Sequence, residues 1–223
     1  NAGAAIHTAQ LHSETQRNAS QMATIANVGR ELSSTLDMQT VVKSVVENVH
    51  KLFNARDTIL RLVGSDGKTL QAALALGMYA EENISDPLIL GEGITGSIAQ
   101  SGIAEVIDNV ELDPRGVHVA GTPDQEDTPE TMMVAPLIAS NRTIGAISVY
   151  KDRPEGTFSK VDLDFLIGLG RQAAIAIENA RLFAETEQRA AELSIISSVG
   201  QSLTEELDLQ TIIENVGDKL RQS

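Results

Sequence analysis

Residues 131–150 read TMMVAPLIASNRTIGAISVY, two apolar runs separated by a turn at Asn141. Each run is strand-like in composition, and the short polar break between them is a hairpin signal. Pro136 lies inside the first run and removes a ladder donor, so it marks an edge, a strand start or a bulge.

The chain on either side extends this pair into a sheet. Upstream, TILRLV (58–63) and TLQAALAL (69–76) form a second strand pair around GSDGK. AEVID (104–108) reads as a further strand. YAEENISDP (79–87) reads as a polar loop. PLILGEGITGSIAQSG (87–102) reads as an apolar run, a glycine turn and a short helix. The stretch 109–130, NVELDPRGVHVAGTPDQEDTPE, is long, polar and rich in Pro and Gly. A loop of that length in a compact domain is usually functional or mobile.

Helices flank the strands. Asp37 can cap a helix over 38–53, with Met38, Val41, Val42, Val45, Val49 and Leu52 on one side. Ser159 can cap another, with Asp162 completing a capping box. That second pattern continues to about Leu207 without a proline. Ordinary globular helices span about 8–20 residues, so this one outruns its domain and serves as connector, dimer seam or both. The element order predicts an α+β fold with an antiparallel sheet.

An internal repeat explains the length. Residues 5–49 align without a gap on residues 176–220, with sixteen of forty-five positions identical. Among them are Glu14/Glu185, Val28/Val199, Gly29/Gly200, Leu36/Leu207, Asp37/Asp208 and Gln39/Gln210. Helical bias alone does not hold a glycine and a Leu-Asp-x-Gln-Thr in register. The expected organisation is a connector helix from a preceding repeat (1–36), one globular domain (37–183), a connector helix (184–207) and the start of a following repeat (208–223). Leu182, Leu193, Ile196 and Leu203, with their counterparts Leu11, Met22, Ile25 and Leu32, read as seams for parallel chains or neighbouring helices. Their spacing is not a clean heptad.

Composition narrows the function. The formal net charge of −14 argues against nucleic acid or an anionic membrane as partner. No apolar run reaches the roughly 20 residues of a membrane span, and a cytoplasmic location is expected. With no cysteine, thiol catalysis, disulfides and cysteine-ligated zinc are excluded.

Single motifs carry less. GEGITG (91–96) matches the dinucleotide fingerprint, but it lacks the parallel βαβ context that the fingerprint needs. It reads instead as a tight turn into a short helix whose free amides can meet a small ligand. His118 could ligate heme or contact an anion. The acidic run Asp124, Glu126, Asp127 and Glu130 lacks the ordered alternation of a calcium loop, and no metal site is expected. No Ser/His/Asp, paired-carboxylate or phosphate-loop arrangement is present, so no catalytic residue is assigned.

Taken collinearly, LGEGITGSIAQSG (90–102), EVIDNV (105–110), MVAPLI (133–138), RTIGAISVY (142–150) and F-S-x-x-D (158–162) resemble a GAF domain, the sensory module of bacterial kinases, cyclases and phosphodiesterases. The resemblance implies a GAF/PAS-like central antiparallel sheet of five or six strands, with helices on both faces and long terminal connector helices. It places the terminal helices on one face and a ligand cavity on the other, under the 93–101 helix and the 109–130 loop. The cavity contacts expected are Gly93, Ile94, Gly96, Ile107, Asp108, Arg115 and His118. Cyclic-nucleotide-binding members carry an N-K-F-D-E signature, of which Lys151, Phe158 and Asp162 remain while Tyr150 and Leu163 depart. The departures argue against a cyclic nucleotide and leave Lys151, Phe158 and Asp162 as a structural clasp, a Lys–Asp pair pinning the last strand to the exit helix. Bilin attachment and sulfoxide reduction, which use cysteine in other members, are closed to this chain. No cofactor is assigned. The function expected is a sensory and dimerisation module of a bacterial signal-transduction protein, a histidine kinase, a cyclase or similar. It would be a homodimer through its connector helices, beside neighbouring GAF or output domains. A ligand-free spacer and a heme sensor through His118 are the alternatives.

Overall fold

The computed structural model describes residues 36–117, 121–122, 129–153 and 156–221. The expected entry helix before residue 36 lies outside them. The chain divides into two compact units between Ala180 and Arg181.

Helix α1, Met38–Leu52, starts as the sequence predicts, with the Thr40 amide donating to Asp37 Oδ2 at 2.8 Å. Val41, Val42, Val45, Val46 and Val49 are its buried face. Met38 and Leu52, expected on that face, are 40% and 46% exposed, because they sit at the two ends, beyond the sheet's cover.

The strands are β1 (Asp57–Val63), β2 (Thr69–Gly77), β3 (Leu88–Ile89), β4 (Glu105–Ile107), β5 (Glu130–Ala139) and β6 (Arg142–Asp152). They form one six-stranded sheet in the order β3-β2-β1-β6-β5-β4. Every neighbouring pair is antiparallel. The β5–β6 turn is Ser140-Asn141, with φ of 49° and 61° between the paired residues Ala139 and Arg142. Two positive φ values are what a two-residue type I′ hairpin needs. Pro136 lies past Val134, the last β5 residue that pairs with β4, and just before a register shift at Leu137/Ile138. It therefore sits where β5 is an edge on that side, next to a bulge.

Period-two alternation sends β5 and β6 side chains to two cores. Met133, Ala135, Leu137, Ile147 and Val149 pack with α1 and with Phe165, Leu166, Leu169 and Ala173 of α4 (Lys160–Arg221, 62 residues). Met132, Val134 and Ala146 pack on the opposite face with Ile94, Ile98 and Ala99 of α3 (Gly93–Ser101). Covering both faces accounts for the unbroken apolar runs of 131–150. Phe53 meets Phe158 and Phe165 edge-on, with centroids 6.3 and 6.1 Å away, and ties the end of α1 to the start of α4.

The capping box forms. The Ser159 amide donates to Asp162 Oδ2 at 2.8 Å, and the Asp162 amide donates to Ser159 Oγ at 3.2 Å. Ser159→Ala is expected to cost about 1 kcal/mol, read as a drop of a few degrees in the melting temperature; an unchanged melt would mean that packing alone sets the start of α4. The same carboxylate does not reach Lys151, so the expected Lys–Asp pair is replaced. Lys151 Nζ instead lies 4.8 Å from the Phe158 ring centroid, and this cation–π contact links β6 to the approach to α4.

The segment read as a polar loop contains a short helix, α2, Ala80–Ser85. Ala80, Glu81 and Glu82 favour a helix, and one tertiary and one local bond hold its start. The Tyr79 amide donates to Asp57 Oδ1, and Asn83 Nδ2 donates back to the Tyr79 carbonyl, both at 2.8 Å. No helix among the described residues is long and apolar enough to cross a membrane.

Candidate ligand cavity

A cavity of about 80 Å³ lies on the α3 face of the sheet, opposite α1. Its wall is built from alternate residues of the central strands, Asp57 and Arg61 from β1, Met132 from β5 and Tyr150 from β6. Tyr79, Asn83, Leu88, the first residues of α3 and Val110, Val117, Thr122 and Glu130 complete the lining. It is smaller than the roughly 300–1,000 Å³ of pockets for drug-sized ligands, so it suits a compact one.

Two arginines dominate its electrostatics, in opposite conditions. Arg56 is saturated. Its Nε donates to Asp57 Oδ2 at 2.7 Å, Nη1 to Asp152 Oδ1 at 2.6 Å and Nη2 to Glu130 Oε2 at 2.6 Å. The guanidinium also lies 5.0 Å from the Tyr79 ring centroid. Burial alone would lower its pKa, but the three carboxylates outweigh burial and hold it above the ordinary arginine value.

Arg61 is not saturated. It is 1% exposed, and its Nη2 donates to the Asn83 carbonyl at 3.1 Å and to Asn83 Oδ1 at 3.2 Å. Its Nε and Nη1 are buried without a hydrogen-bond partner among the described residues. Burial pulls this guanidinium below the ordinary arginine value, with Tyr150 and Asp86 opposing the shift. Burial likewise raises the Tyr150 phenol, partly offset by Arg61. Thr95 Oγ1 lies 3.1 Å from Ser148 Oγ beside them.

Of the residues expected from sequence to contact a ligand, Gly93 and Ile94 line the cavity. Gly96 instead allows a close backbone approach, since a Cβ there would lie 2.2 Å from the Ile89 carbonyl oxygen. Ile107 is buried in the core under α3, and Asp108 is exposed. Arg115 is drawn away by Glu105 and Asp113, at 2.7 and 2.9 Å from Nη2. His118 lies outside the described residues, as do Asp124, Glu126 and Asp127. Sequence reasoning missed Arg56, Asp57, Arg61, Tyr79, Asn83, Thr95 and Tyr150. A signal existed for Arg61: a charge in the middle of TILRLV, on a strand otherwise apolar and buried, calls for a reason.

The Asp113–Arg115 pair braces the loop after β4, and the hydrogen bond from Arg115 holds the Asp113 carboxyl below the usual range. A depressed folded pKa stabilises above the unfolded value of about 3.9, and the gain is lost as pH falls through the folded value. Asp113→Asn is therefore expected to cost up to about 1 kcal/mol at neutral pH and nothing in strong acid. Paired urea titrations at the two pH values check it; an equal deficit at both would assign the loss to packing.

A curled six-stranded antiparallel sheet, with a helix pair on one face and a short helix over a small cavity on the other, is the α+β architecture expected of a GAF domain. The family model for the GAF domain matches residues 35–178, and the chain belongs to that family. It is 26% identical over 159 residues to the Nif-specific regulatory protein of Azospirillum lipoferum, covering 66% of this chain and 24% of that protein. It is also 26% identical over 133 residues to the Nif-specific regulatory protein of Herbaspirillum seropedicae, covering 59% and 24%. The chain thus spans about a quarter of the length of the curated relatives it matches. Among solved structures, the GAF domain of an Acinetobacter phosphoenolpyruvate-protein phosphotransferase superposes with a TM-score of 0.63 at 18% identity, covering 73% of this chain and 95% of that one. Free methionine-R-sulfoxide reductase from Neisseria meningitidis superposes with a TM-score of 0.59 at 18% identity, covering 74% and 93%. At such identities the likeness is one of fold.

Proposed function

We propose that this chain is a non-catalytic sensory module of a larger bacterial signalling protein. It binds a small ligand between the sheet and α3 and passes the change in packing along its exit helix. The observation that carries this reading is the cavity, whose wall holds a buried cation with unused donors. A core selected for stability alone would not keep such a group.

The exit helix supplies the route. α4 starts in the core beside α1 and continues to Arg221. Past Ala180 its side chains include Leu193 and Ile196, 66% and 67% exposed. We read these exposed apolar residues as the surface of a seam, and a second copy of this chain is the partner we favour. In this reading residues 37–183 are the sensor, 1–36 and 184–207 are connectors, and 208–223 open a further GAF-like unit. The Nif-specific relatives, of which this chain covers a quarter, fit a sensor embedded in a longer regulator.

The test is native mass spectrometry of the freshly purified chain, with a thermal-shift screen against central metabolites. A retained molecule, or a saturable rise in melting temperature, is the expected result. A cavity that retains nothing and a melt that no compound shifts would leave the spacer reading in its place.

A further inference from the structure

The ligand's chemistry is written in the charges around the cavity. Resting on the sensory reading above, we infer that the ligand is a short-chain monocarboxylate, received by Arg61 together with the N-terminus of α3. Arg61 lines the cavity, and its buried Nε and Nη1, with one and two hydrogens, carry three N–H donors that no described residue accepts. A carboxylate satisfies them with charge-assisted bonds, which a neutral ligand cannot supply.

The second observation is independent of the first. α3 begins at Gly93, and its N-cap residue Glu92 makes no side-chain capping bond. The first residues of that helix, Gly93, Ile94 and Thr95, line the same cavity. A helix N-terminus carries partial positive charge and orphan amides, so both devices favour an anion.

The charge should be one and the body short. Asp57 and Glu130 also line the cavity, and both are bound to Arg56. With Arg56 occupied, Arg61 is the one lining cation whose donors are unused among the described residues, and a second negative charge would face those carboxylates. A phosphate dianion is therefore disfavoured against a monoanion. Leu88, Ile94, Val110 and Met132 offer apolar wall for a short aliphatic body. The small volume limits that body to about two to five carbons. Thr95 and Tyr150 can read a hydroxyl or keto group on it.

The experiment titrates the full chain, at matched ionic strength, with acetate, propionate, butyrate, lactate and pyruvate, with the corresponding amides, and with inorganic phosphate. Melting temperature and calorimetric affinity are read in the wild type and in Arg61→Met. At least one carboxylate should raise the wild-type melting temperature saturably, while its amide and phosphate do not. Arg61→Met should weaken that carboxylate by roughly 50-fold or more. Arg61→Lys keeps the charge without the planar fork, and should bind the same carboxylate more weakly than wild type but better than Arg61→Met. Equal response to acid and amide, binding that survives in Arg61→Met, or silence across all the carboxylates overturns the inference. A neutral compound that stabilises wild type and Arg61→Met alike overturns it while leaving the sensory reading intact. Silence from every compound, with nothing retained on purification, removes both.

Discussion

Arg56→Met is expected to cost about 3–5 kcal/mol of folding stability, the range for removing one partner of a buried charge cluster. One guanidinium holds three carboxylates, and the Asp57 side chain is 2% exposed. Methionine fills much of the volume but leaves these like charges facing one another without a counter-ion. The loss would consume a large part of the 5–15 kcal/mol typical of a domain. The consequence is also topological. Arg56 precedes β1, Glu130 opens β5 and Asp152 closes β6, so the network pins three strands at one end of the sheet. Urea unfolding should show a lower midpoint with an unchanged slope. Arg56→Lys, which keeps the charge but not the fork, should fall between wild type and Arg56→Met. A loss under about 1 kcal/mol in Arg56→Met would mean that solvent screens the cluster.

Gly77→Ala should be nearly as damaging, about 3–5 kcal/mol, for a different reason. Gly77 closes β2 opposite Asp57 with a φ of +126°, where L side chains are strained. A Cβ there would stand 2.1 Å from the Arg56 carbonyl oxygen and 2.4 Å from Asp57 Oδ1. The backbone oxygen cannot step aside without breaking the β1–β2 register, and the carboxylate cannot move without leaving Arg56 and Tyr79. Because the two substitutions share Asp57, their costs should not add, and a double-mutant cycle should show the coupling. Wild-type stability in Gly77→Ala would show that the turn after β2 can relax outward.

Both predictions concern residues that read as ordinary from sequence. Arg56 and Asp57 sit between a helix and a strand, where charged pairs are commonplace. What joins them to Glu130 and Asp152 is the return of the chain across the sheet. Asp108 and Arg115 show the opposite case. They carry functional-looking chemistry in a functional-looking loop, yet one is exposed and the other is held by Glu105 and Asp113. Sequence proximity brought them to notice, and local ion pairing decides where Arg115 points. Gly93 and Ile94 were legible because a glycine turn into a short helix is a local device, and local devices survive folding unchanged.

The same division holds for the whole chain. Elements that depend on neighbouring residues were set by the sequence itself: the two hairpins, the Asp37 cap, the Ser159–Asp162 box and the end of α3 at Gly102, with its φ of +71°. Their energies are exchanged over a few residues, so their patterns can be read there. The tertiary structure alone decided that β1 lies between β2 and β6, that the Tyr79 amide is bound by Asp57, and that Lys151 meets a ring rather than a carboxylate. It also decided that Arg61 is buried with donors to spare. Whether a charged group is satisfied depends on what other segments bring to it, and in this sheet those segments arrive from over twenty to nearly a hundred residues away.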